Sequence, residues 1–161
     1  MIKGYISLTK PRIILLLLIT ALGGLFLASA GPPDPLITLA VLVGGSLAAG
    51  GANAINHFLD RDIDEKMRRT RNRPIVSGIV RPQFALGFGI LLNIIAFTIL
   101  VQWANILSAL LTLFATLFYV FVYTMGLKRS TSQNIVIGGA AGAIPPMVGW
   151  AAITGNIMDT T

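Results

Sequence analysis

The segment NHFLDRDIDEK, residues 56–66, holds the side chains of this 161-residue chain best suited to binding a cation. Asn56, Asp60 and Asp64 recur every fourth residue. On a helix that spacing advances about 40° and about 6 Å per step, so an amide and two carboxylates share one face. Oxygen donors at that interval suit a hard cation such as Mg²⁺, which keeps several waters and takes only one or two carboxylates together with phosphate oxygens. Asp62 and Glu65 fall on other faces, where solvated arginines would pair with them. Immediately downstream, Lys66, Arg68, Arg69, Arg71 and Arg73 crowd the same loop with donors that match phosphoryl oxygens. Acid and base together on one loop fit a metal plus a diphosphate. In the competing reading the cations set topology and hold anionic lipid while the acids merely pair with them. The regular carboxylate spacing favours the first.

The elements that must position this stripe are apolar. Hydrophobic residues make up 55% of the chain and charged ones 11%, with a mean hydropathy of +0.80, values of a membrane protein rather than a soluble domain. With no cysteine, a disulfide framework, a zinc–thiolate site and a thiolate nucleophile are all excluded. Uncharged intervals mark spans near 13–30, 36–59, 84–101, 106–125 and 134–157, each long enough for a hydrocarbon core that needs about 20 residues. The fold expected is therefore all-α, a polytopic transmembrane bundle of about five helices forming one domain over 1–161, with a motif loop over 60–83. In the fifth span, Gly138 and Gly142 have the spacing of closely packed helices, and Pro145-Pro146 is expected to kink it.

All twelve Lys and Arg residues fall before span one, between spans two and three, or between spans four and five. The opposite connections carry Asp34, the QWAN turn at 102–105 and Asp159. The net charge of +6 thus reads as a positive-inside signal and not as nucleic-acid binding, and it places the N-terminus and the 60–83 loop in the cytoplasm, the protein being expected in the cell (inner) membrane.

With these residues in view, Asn56-x-x-x-Asp60-x-x-x-Asp64 resembles the first aspartate-rich motif of the intramembrane prenyltransferases. The longer string DRDIDEKMRRTRNRP (60–74) is similar to the protohaem IX farnesyltransferase (haem O synthase) branch, as are LTKPR (8–12), YTMGLKRSTSQNIVIGG (123–139) and GAAGAIPPMVGW (139–150). The resemblance implies Mg²⁺-dependent transfer of a farnesyl group from farnesyl diphosphate to a vinyl group of protohaem IX, giving haem O. It implies that Asn56, Asp60 and Asp64 hold the metal, that Lys66, Arg69 and Arg73 clamp the diphosphate, and that Lys10, Arg12, Tyr123 and Lys128 approach the same rim from other spans. The apolar spans would then shelter the isoprenoid. Asn53 either lines that cavity or serves as packing glue, like Asn93. His57, the only histidine, either orients haem or hydrogen-bonds at the interface. Members of the family are about twice as long and carry a second acidic motif that is missing here. The chain therefore reads as an N-terminal half, whose partners would include a C-terminal half or haem A synthase.

Overall fold

The computed structural model describes residues 2–131 and 133–156, and among them every regular element is helical. Five helices are long and apolar enough to cross a membrane: Pro11–Ala28 (α2), Pro35–Leu59 (α3), Pro82–Trp103 (α5), Ile106–Ser130 and Val136–Thr154. Two short helices sit outside these spans, α1 (Ile2–Thr9) before the first and α4 (Arg61–Lys66) after the second. The protein is a multi-pass membrane protein. The expected end of span five at 157, and Asp159, lie outside the described residues.

Helix starts follow from local chemistry. Proline stands at the first turn of α2, α3 and α5, where the missing N–H costs no hydrogen bond. Asp34 caps α3 by accepting from the Leu36 and Ile37 amides at 2.8 and 3.0 Å, and Asn105 caps the fourth span through the Ser108 amide at 2.9 Å. Between α1 and α2, Lys10 adopts a left-handed backbone with φ 54° and ψ 66°. That conformation is unfavourable for a residue with a Cβ and more so before proline. It turns α1 aside, so that Leu8 is buried with Ala54, Ile75, Val80 and Ala85 and Tyr5 meets Phe88 edge-on at 5.1 Å between ring centroids.

α3 packs along α5 at very short range. A Cβ on Gly51 would lie 2.6 Å from the Gly89 carbonyl oxygen, and one on Gly89 would lie 2.8 Å from that of Gly51, so nothing larger than glycine fits either position. The first and fifth spans touch as tightly through Gly24 and Gly149, each against the other helix's backbone. Between these two seams lies a core of Ala21, Leu25, Val41, Leu100, Ala109, Ile144, Val148 and Ala152.

The fourth and fifth spans depart from regular helices. The fourth runs as α6 (Ile106–Leu117), widens into a π-helix over Phe118–Leu127 and ends in α7 (Lys128–Ser130). The fifth consists of α8 (Asn134–Gly138), a 3₁₀ stretch over Gly139–Ala143 and α9 (Ile144–Thr154). Pro145-Pro146 thus opens a helix instead of kinking one, because the glycine- and alanine-rich GAAGA before it has already broken the α-helical ladder. The glycine spacing also resolves differently from the expectation of close packing. Gly138 abuts the Tyr123 ring, but a Cβ on Gly142 would meet nothing within 4 Å.

Candidate metal and diphosphate site

The stripe expected from the sequence survives the end of its helix. α3 stops at Leu59, yet the Asp60 amide still donates to the Asn56 carbonyl at 2.9 Å and the Asp64 amide to the Asp60 carbonyl at 2.8 Å. That continuous four-residue ladder keeps Asn56, Asp60 and Asp64 in register, and all three are buried. Thr70 folds the following loop back by donating to the Asp64 carbonyl at 2.9 Å, while Ile75 and Val80 anchor the loop in the apolar cluster beneath α1.

Each residue of the stripe is met by a cation from a different part of the chain. Lys10 Nζ donates to Asn56 Oδ1 at 3.0 Å, Lys128 pairs with Asp60 Oδ2, and Arg73 Nη1 pairs with Asp64 Oδ2 at 2.5 Å. The three segments that carry the cations therefore converge at one end of the bundle. Burial first, and then the neighbouring charges of Arg73 and Lys128, lower the Lys10 ammonium to a pKa of about 8. Three buried or half-buried cations crowded this way repel one another and suit an anion richer in charge than the carboxylates present. Asp62, by contrast, faces solvent in an exposed pair with Arg129 at 2.8 Å, whose hydrogen bond holds its carboxyl below the usual range.

One oxygen is left over. Asp60 is fully buried and its Oδ1 has no hydrogen-bond partner, an arrangement costly for a carboxylate unless a ligand or cation reaches it. Among the described residues no group of three His, Cys, Asp or Glu side chains could by itself hold a metal. Two carboxylates and an amide fit an ion that draws its remaining ligands from water and phosphate.

Below the polar end lies a cavity of about 270 Å³, lined mainly by aliphatic residues of the first, second, fourth and fifth spans. Asn53, one turn before Asn56, and Tyr119 line it. Asn53 also ties α3 to α1 by donating to the Thr9 carbonyl at 3.0 Å, whereas Asn93 lies outside this cavity and serves as glue, accepting from Thr116 at 2.9 Å. Tyr123 stacks on Tyr119, with centroids 5.3 Å apart, and packs against Gly138. His57 is buried with neither ring nitrogen hydrogen-bonded. Lys66, Arg69 and Arg12 are exposed at the rim and do not join the buried cluster. Sequence reasoning passed over Thr124 and Tyr119. Thr124, fully buried, accepts from Asn56 Nδ2 at 3.1 Å, and Tyr119 lines the cavity. Both sit in an uncharged interval, and only Thr124 falls within one of the family-like strings, YTMGLKRSTSQNIVIGG at 123–139.

A model of the UbiA prenyltransferase family matches residues 17–161. The chain belongs to that family. UbiA prenyltransferases generally depend on a divalent metal, which agrees with the orphaned Asp60 oxygen. Among similar proteins, protoheme IX farnesyltransferase 1 of Saccharopolyspora erythraea is 53% identical over 156 residues, 97% of this chain and 50% of its own length. Protoheme IX farnesyltransferases of Symbiobacterium thermophilum and Synechococcus elongatus are 52% and 57% identical, over 97% and 96% of this chain and 52% and 48% of their own. The chain thus spans about half the length of the curated relatives it matches. No solved structure matches it.

Proposed function

We propose that this chain carries the metal–diphosphate site and the isoprenoid cavity of a protohaem IX farnesyltransferase, an enzyme that moves a farnesyl group from farnesyl diphosphate to a vinyl group of protohaem IX to form haem O. The observation that carries this reading is the one-to-one meeting of Asn56, Asp60 and Asp64 with Lys10, Lys128 and Arg73 above an apolar cavity. Relatives bearing that activity in their names match almost the whole chain, which supports protohaem and a prenyl diphosphate as substrates. The one-sided cations support a site at the cytoplasmic face of the cell (inner) membrane.

Asn56 Oδ1 and the Asp60 and Asp64 carboxylates would hold Mg²⁺. The bound ion would supply charge neutralisation to the departing diphosphate. Lys10, Lys128 and Arg73 would bind the non-bridging phosphoryl oxygens and stabilise the negative charge that builds as the allylic carbon–oxygen bond breaks. Exposed Lys66, Arg69 and Arg12 would guide the anion in from the rim. The cavity walls would keep water from the allylic carbon until the vinyl group reaches it, with Tyr123, Asn53 and His57 shaping the passage between the polar and apolar halves. Haem A synthase is the protein partner this reading implies.

The test is binding of farnesyl diphosphate to the purified chain in detergent, by calorimetry, with and without Mg²⁺. Binding that requires Mg²⁺ and disappears in Asp60→Asn is expected. Equal binding without metal, or by Asp60→Asn, would overturn the assignment.

A further inference from the structure

The π-helix in the fourth span places Thr124 in a position that decides which way the Asn56 amide points. Thr124 donates its hydroxyl hydrogen to the Tyr119 carbonyl five residues back, at 2.9 Å, the offset that a π-helix provides. With that hydrogen committed, its oxygen can only accept. The group of Asn56 that faces it, at 3.1 Å, must therefore be the NH₂. The second Nδ2 hydrogen goes to Asp60 Oδ2 at 2.8 Å, so both amide hydrogens are used and Oδ1 is left facing Lys10. Turning the amide over would oppose NH₂ to an ammonium and the carbonyl oxygen to two acceptors.

Of these three partners, Lys10 and Asp60 are the charged ones, which an entering diphosphate and cation would engage. Thr124 carries no charge and its own donor is fixed to backbone, so its contact can persist through binding. We propose that Thr124 is a positioning residue that keeps the Asn56 carbonyl oxygen turned toward the metal. The proposal rests on the metal reading given above and concerns an orientation that the reading leaves open.

The experiment measures Mn²⁺ binding to the purified chain by electron paramagnetic resonance, which needs no turnover. Thr124→Val keeps the shape and removes both hydrogen bonds, and it is expected to weaken Mn²⁺ binding about 10–100-fold, the usual range when the partner that orients a metal ligand is lost. Thr124→Ser retains the hydroxyl and should bind close to wild type. The decisive pair is Asn56→Asp with and without Thr124→Val. A carboxylate presents oxygen on both sides, so orientation no longer matters and the two variants should bind Mn²⁺ alike. Full affinity in Thr124→Val overturns the proposal, and so does a Thr124→Val defect that persists undiminished beside Asn56→Asp, which would mark a merely structural role. No Mn²⁺ binding by the wild type overturns the metal reading itself, and this inference with it.

Discussion

The two ends of the bundle satisfy their polar groups in opposite ways. At the end bearing Asp34 and Asn105, those two side chains are met by neutral or local contacts. Asp34 caps its own helix. Asn105 caps its own as well, and its NH₂ reaches the Ala151 and Ala152 carbonyls at 2.7 and 3.2 Å to join the fourth span to the fifth. At the other end two aspartates are buried and paired with cations that lie 68 and 9 residues away, and one carboxylate oxygen is still unmet. Burying ionised pairs seldom stabilises a fold, because desolvation offsets most of the Coulombic gain. The far end is built as folding requires, whereas the rim accepts a cost that folding does not explain and that the proposed metal–diphosphate site would.

The largest expected effect tests that contrast directly. Asp60→Leu combined with Lys128→Met replaces the pair that holds the fully buried carboxylate with apolar side chains of similar shape. Binding of Mg²⁺–pyrophosphate, followed by calorimetry, should be abolished, while chemical unfolding in detergent should show stability unchanged or raised by about 1–4 kcal/mol. Loss of several kcal/mol would make the rim pair a structural element and erase the difference between the two ends.

A change at the opposite end should show the reverse pattern. Asn105→Ala removes a helix cap and takes the amide donor from the Ala152 carbonyl, while the Ala151 carbonyl still accepts from the Gly155 amide at 2.9 Å, for an expected loss of about 1–3 kcal/mol in unfolding free energy. Pyrophosphate binding should not change. A binding defect of the size produced at Asp60 would mean that the two ends are coupled through the fourth span.

The same contrast explains what the sequence disclosed. Five apolar intervals and twelve one-sided cations are compositional, so the spans and the polar end were legible without coordinates. The Asn56–Asp60–Asp64 stripe was legible because its period matches the helix, and the backbone ladder continues through the break at Asp60. Pairings over long separations were not. That Lys128, and not Lys66 or Arg69, meets Asp60 depends on how far the fourth span winds before it ends. Hydropathy is blind to that winding, since FYVFVYTMGL is equally apolar as an α-helix or a π-helix. The left-handed turn at Lys10 was hidden for a related reason. LTKPR announces an interruption at the proline, but only the burial of Leu8 under the motif loop accounts for its direction.

The smallest expected effect separates the buried pairs from an exposed one on the same rim. Asp62 lies between Asp60 and Asp64 in sequence, and Arg129 follows Lys128, so charge and location along the chain hardly distinguish this pair from its neighbour. Exposure does, because the Asp62 and Arg129 side chains are 55% and 41% exposed. Water already solvates both, and an exposed pair contributes less than about 1 kcal/mol. Asp62→Asn should therefore leave unfolding nearly unaltered and pyrophosphate binding close to wild type, in contrast to the loss predicted for Asp60. Arg129 Nη2 also donates to the Leu59 carbonyl at 2.8 Å, so it keeps a tie to the end of α3 when Asp62 is neutralised. A defect in Asp62→Asn as severe as that in Asp60→Asn would show that the rim acts through its summed charge and not through the buried stripe. The assignment of Asn56, Asp60 and Asp64 as the metal-facing set would then lose its basis.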